Sequence, residues 1–130
     1  EAILNQNKVD LLYFYGEINQ STIASVDDDQ AALAWDNLFD NWSVKNATRF
    51  RKVGEINWNA ITEYDDALIA ENATNLVDSR ASFLQVGDIV AFQTATTSAN
   101  PSKKGLFKVM DISGTIGTDR TITLEVKIQK

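Results

Sequence analysis

The chain has 130 residues, 44% hydrophobic and 23% charged, with a net charge of −6 and neither Cys nor His. That length supports a single domain with its own core. The missing residue types exclude disulfides, thiolate chemistry, Cys- or His-ligated zinc and histidine general bases within the chain.

Taken from the N-terminus, "KVDLLYFY" comes first. Val9, Leu11, Tyr13 and Tyr15 fall on one face of a strand over 8–15, and Leu12 and Phe14 on the other. Apolar residues on both faces predict a central strand covered above and below. Asp10 sits near its start, within reach of water or a backbone N–H. "GEINQS" turns the chain, and a short partner strand is expected over 22–26. The period then changes. Ala31, Trp35, Leu38, Phe39 and Trp42 recur at three- and four-residue steps, so a helix is expected over 28–40. Asp27, Asp28 and Asp29 precede it as N-cap and dipole partners. A strand over 47–53 follows. Tyr64, Leu68 and Ile69 suggest a helix over 64–72, and a further helical turn is expected near 78–83.

The C-terminal third reads as a meander. Gly87 and Asp88 form a turn before a strand over 89–95. A second strand covers 105–112, and Gly114 and Gly117 allow a tight connection to a third over 120–129. In that last strand Ile122, Leu124, Val126 and Ile128 point inward, and Thr123, Glu125 and Lys127 point outward.

The fold class expected is therefore α+β and β-rich: an antiparallel sheet with two or three short helices on one side. The alternative is a β-sandwich with a helical insertion. The core is expected to contain Leu11, Tyr13, Phe14, Trp35, Leu38, Phe39, Phe50, Ile89, Phe92, Phe107, Val109, Leu124 and Val126.

The segments "KVDLLYFY", "TIASVDDD", "WSVKNATRF", "LQVGDIVAFQTA", "KKGLFKVMDI" and "ITLEVKI" together resemble uncharacterised cell-envelope lipoproteins of gut-dwelling Gram-negative anaerobes. The resemblance implies an extracytoplasmic location, at the cell surface or in the periplasm. It also implies a binding role toward glycans or lipids, and it transfers no functional residue. The sequence begins without Met, so the chain is read as a domain of a longer exported protein or as a precursor that has lost its leader.

Candidate chemistry is sparse. The Asp27–Asp29 cluster lacks the D-x-D-x-D-G spacing of a calcium loop, and helix capping accounts for it. No metal or cofactor is expected. G-x-S-x-G, P-loop and G-x-G-x-x-G motifs are missing. The basic strip of Lys45, Arg49, Arg51 and Lys52 is short, and nucleic acid is not an expected partner of so acidic a chain. No run approaches a membrane span. Asn19, Asn41, Asn46 and Asn72 start N-glycosylation patterns that are read as accidental. The aromatic residues are the best functional material. Trp42 and Trp58 flank the basic strand and Tyr64 follows, and an exposed ring can stack on a sugar or touch an acyl chain. The competing reading packs every ring inside, and Trp35, Tyr13 and Tyr15 are assigned there. The function expected is a non-catalytic binding module for glycan, lipid or another protein. The alternatives are a carboxylate-based hydrolase and a purely structural domain of a larger surface protein.

Overall fold

A computed structural model describes residues 3–62, 64–114 and 119–130, with the side chains of residues 3 and 4 left aside. The fold is α+β and β-rich. A short 3-10 segment, Ile3–Lys8, leads into β1 (Leu12–Gly16) and β2 (Gln20–Ala24). Helix α1 (Asp29–Ala34), β3 (Arg49–Val53), a 3-10 turn at Trp58–Ala60 and helix α2 (Asp66–Asn72) follow. The chain ends with β4 (Arg80–Ala81), β5 (Ile89–Gln93), β6 (Lys104–Ser113) and β7 (Thr121–Ile128). All strand pairs are antiparallel and divide between two sheets, β1-β2-β4 and β3-β5-β6-β7. A bridge between Phe50 and Asp78 joins them, with the Phe50 N–H donating to the Asp78 carbonyl at 2.8 Å.

Side-chain alternation makes this a stack of layers. Ile23 and Ala81 of the smaller sheet meet Phe50, Val90, Phe92, Phe107 and Val109 of the larger one in a shared core, with Tyr13 packed against it. The outer face of the smaller sheet, Leu12, Phe14 and Ala24, packs on Ala31, Phe39 and Trp42. The outer face of the larger sheet, Ile89, Ala91 and Leu106, packs on Trp58, Ile61, Ile69 and Ala73. Helical segments therefore cover both outer faces rather than one side. The C-terminal meander forms as its three successive strands and short connections predict.

Several expectations change. The strand over 8–15 is apolar on both faces because its sheet lies between two layers. It stands at the edge of that sheet, and β2 is central. Asp10 precedes the strand and accepts hydrogen bonds from Asn46 Nδ2 (2.9 Å) and Ser98 Oγ (3.1 Å), which tie the strand start to two loops. The helix over 28–40 stops at Ala34. Asp36 and Asn37 have positive φ, the Asn37 N–H donates to the Ala32 carbonyl (2.7 Å), and the Asp36 N–H donates to the Leu33 carbonyl (3.2 Å). These paired bonds close a helix C-terminus in the Schellman manner. The chain then reverses, so Phe39 and Trp42 turn inward while Trp35 and Leu38, assigned to the core, turn outward.

The segment 78–83 holds β4 instead of a helical turn, since Ala81 and Arg80 pair with Ile23 and Ala24. In β7, Ile122, Leu124 and Ile128 pack on the shared core as expected, but Val126 is half exposed at the sheet edge. Lys127 is buried because the larger sheet has a second covered face. Its Nζ donates to the carbonyls of Trp58 (2.6 Å) and Ile61 (2.5 Å). Gly117, assigned to the last turn, lies outside the described residues.

Candidate functional site

The β1–β2 hairpin and α1 enclose an open groove of about 650 Å³, lined by Tyr13 to Asn19 on one wall and by Gln30, Leu33, Ala34 and Trp35 on the other. The hairpin wall forms because Gly16 pairs with Gln20 around a three-residue loop, and Gln20 takes a positive φ to close it. The loop lifts Ile18 into solvent. Asn19 is fixed from behind, since its carbonyl accepts from the Phe83 N–H and from Thr22 Oγ1, each at 3.0 Å.

The α1 wall is held by the acidic cluster. Asp28 is buried, caps the helix by accepting from the Ala31 N–H (2.9 Å), and accepts from Arg80 Nη1 (2.9 Å) and Ser79 Oγ. Asp29 takes a second contact with Arg80, at 3.0 Å. Asp27 accepts two bonds from the Arg49 guanidinium, at 2.8 and 2.9 Å. The cluster thus caps and anchors the helix. Two members of the basic strip pair with acids, Arg49 with Asp27 and Lys52 with Asp88 at 3.3 Å, while Arg51 donates to the Thr74 and Asn72 carbonyls.

Partial burial works against the Asp27 carboxylate, but bonds from Arg49 and Ser25 and the Arg49 charge outweigh it, so its pKa lies below the ordinary 3.8. The Arg49 pKa is raised, chiefly by its bond to Asp27. The stabilisation from this pair is complete above the ordinary carboxylate value and disappears as pH falls through the lowered one. Urea midpoints measured from pH 5 down to pH 2 should therefore fall less steeply in Asp27→Asn than in the unaltered chain. Parallel acid limbs would remove Asp27 from the pH response.

Trp35, 40% exposed, stands half open to this groove, whereas Tyr15, 37% exposed, lies on the strand face of Tyr13 and so points away from α1. The Arg120 guanidinium lies over the Tyr15 ring, 3.5 Å from its centroid. Trp35 rests on Phe39, with centroids 5.9 Å apart and planes at 48°. Among the described residues lining the groove, Glu17 alone carries a charge. Asn19 Nδ2 donates to Gln30 Oε1 (3.3 Å), so an amide pair bridges the two walls.

The three aromatic residues singled out in the sequence are not brought together. Trp42 is 8% exposed and packs edge-on to Phe39, with centroids 4.8 Å apart. Trp58 is 5% exposed, donates from Nε1 to Glu125 Oε1 (3.0 Å), and carries Lys127 Nζ over its ring at 4.2 Å. These contacts make it a fastener between its 3-10 turn and β7. Tyr64 is exposed, with Lys130 Nζ 5.7 Å from its ring centroid. Sequence reasoning placed Trp35 in the core and so missed the groove. The signal available was the Asp36-Asn37 pair, which favours left-handed backbone and ends the helix at Trp35.

Among the described residues, no helix is long and apolar enough to cross a membrane. No family model matches the chain, and no curated protein matches it. A crystal structure of a DUF4466 family protein from Parabacteroides merdae, a gut anaerobe, is similar in fold. The TM-score is 0.64 and the identity 15%, over 95% of this chain and 40% of that one, so this chain spans about two fifths of that protein's length.

Proposed function

We propose that the chain is a non-catalytic extracytoplasmic binding module whose ligand lies in the groove between the β1–β2 hairpin and α1. The observation that carries this reading is Trp35, 40% exposed on the α1 wall of an open groove. Large rings left partly wet at a concave surface are the usual material of ligand contacts. Among the described residues the groove presents one carboxylate, Glu17, whereas glycoside hydrolysis by paired acids needs two. The buried acid among the described residues, Asp28, is already occupied by Arg80, Ser79 and the α1 N-terminus. The envelope setting rests on the sequence resemblance.

Calorimetric titration with a panel of soluble oligosaccharides and acyl detergents tests the reading. A binding heat is expected, and Trp35→Ala should weaken that binding by at least about tenfold, roughly 1.4 kcal/mol. Its far-UV spectrum and thermal midpoint should stay close to those of the unaltered chain, because Trp35 is outside the buried cores. Binding that survives Trp35→Ala unchanged would move the site elsewhere.

A further inference from the structure

We infer that the ligand of this groove is an uncharged saccharide, seated on the Trp35 ring with neighbouring hydroxyls on the Asn19–Gln30 amide pair. The inference rests on the proposed binding role and adds its ligand class. Three features distinguish a sugar from the other candidates.

The first is charge. Among the described residues, no Lys or Arg lines the groove, and Glu17 adds a negative charge to it. A fatty-acid carboxylate, a phosphate head group or a uronic acid would meet repulsion and find no counter-ion there. The nearby cation, Arg120, lies on the Tyr15 ring.

The second is the amide pair. Asn19 and Gln30 are half-buried and use one donor and one acceptor on each other. Among the described residues, Asn19 Oδ1 and Gln30 Nε2 have no other protein partner, leaving an acceptor and a donor side by side. A hydroxyl both donates and accepts, so a vicinal diol matches such a pair. An acyl chain in the same place would strip water from both amides and return nothing.

The third is shape. The groove is open, and small residues, Gly16 and Ala34, are among those lining it. This suits the C–H face of a pyranose lying flat on an indole, with the rest of an oligosaccharide running on into solvent. An acyl tail gains most from an enclosed cavity, where its whole surface leaves water.

The test is calorimetric titration of the full chain with four probe classes. These are neutral oligosaccharides of glucose, mannose, xylose and galactose; oligogalacturonate; dodecanoate; and dodecylphosphocholine. At least one neutral oligosaccharide is expected to bind. Asn19→Ala and Gln30→Ala should each weaken it by about tenfold, and Trp35→Phe should weaken it less than Trp35→Ala. Matched thermal midpoints exclude loss of fold as the cause. Binding of oligogalacturonate, dodecanoate or dodecylphosphocholine alone, lost in Trp35→Ala, overturns the neutral-sugar inference and leaves the groove as the site. Sugar binding unaffected by the amide variants also overturns it. If no probe binds, the inference and the proposed binding role fall together.

Discussion

Phe92→Ala is expected to lower the stability of the chain by about 3–5 kcal/mol, the usual range for removing a buried phenyl ring. Phe92 lies in the core shared by the two sheets, with its ring 6.1 Å from that of Phe107. The ring also covers Gly105 on the neighbouring strand: a Cβ at that position would come within 2.4 Å of Phe92 Cζ and 2.7 Å of Cε1. Gly105→Ala should therefore cost about 1–3 kcal/mol by overpacking. In the Phe92→Ala background that cost should shrink sharply, because the added methyl enters the space the ring has left. Urea unfolding of the two single variants and the double variant measures the coupling. An unchanged midpoint for Phe92→Ala, or strictly additive costs, would contradict this packing.

Asp28→Ala is expected to cost about 2–4 kcal/mol. The substitution removes the α1 cap, worth about 1 kcal/mol. It also leaves Arg80 and Ser79 without the buried carboxylate that both now use. Asp28→Asn should cost less, since Asn caps as well as Asp and fills the same space. Because α1 is one wall of the groove, Asp28→Ala should also weaken ligand binding, although Asp28 does not line the groove. A variant as stable as the unaltered chain would mean that the Asp28 network does not hold α1 in place.

Much of the fold is legible in the sequence, and the departures have physical causes. Turn residues ahead of β5 and between β6 and β7, with the clean alternation of β7, marked the meander correctly. Alternation alone does not show how many layers a sheet lies between. β1 therefore read as central when it is an edge strand covered twice, and Lys127 read as solvated when a 3-10 turn supplies it with two carbonyls. The apolar spacing of residues 31–42 suits a long helix, but that pattern says nothing of where the backbone reverses. The left-handed Asp36 and Asn37 break the projection, sending Trp35 outward and Trp42 inward. β4 is only two residues long and exists because β2 offers it a partner, a dependence on tertiary context that no local window contains.

The candidate site was less legible for the same reason. Trp42 and Trp58 were chosen because they flank the basic strand, and Trp58 also stands between polar neighbours, Asn57 and Asn59. Those neighbours mark the loops correctly, yet the indole rings themselves turn inward. Exposure of a ring depends on which layers close over it, and Trp35 stays open because the chain beyond α1 folds back past its other side.

The most direct test of the account is the indole region of a proton–nitrogen correlation spectrum, recorded while a bound oligosaccharide is titrated. The three indole N–H signals belong to Trp35, Trp42 and Trp58, and single Phe substitutions assign them. The account predicts that the Trp35 signal moves with ligand and saturates, while the signals of Trp42 and Trp58 keep their positions. A shift confined to Trp42 or Trp58 would contradict it and place the ligand outside the groove.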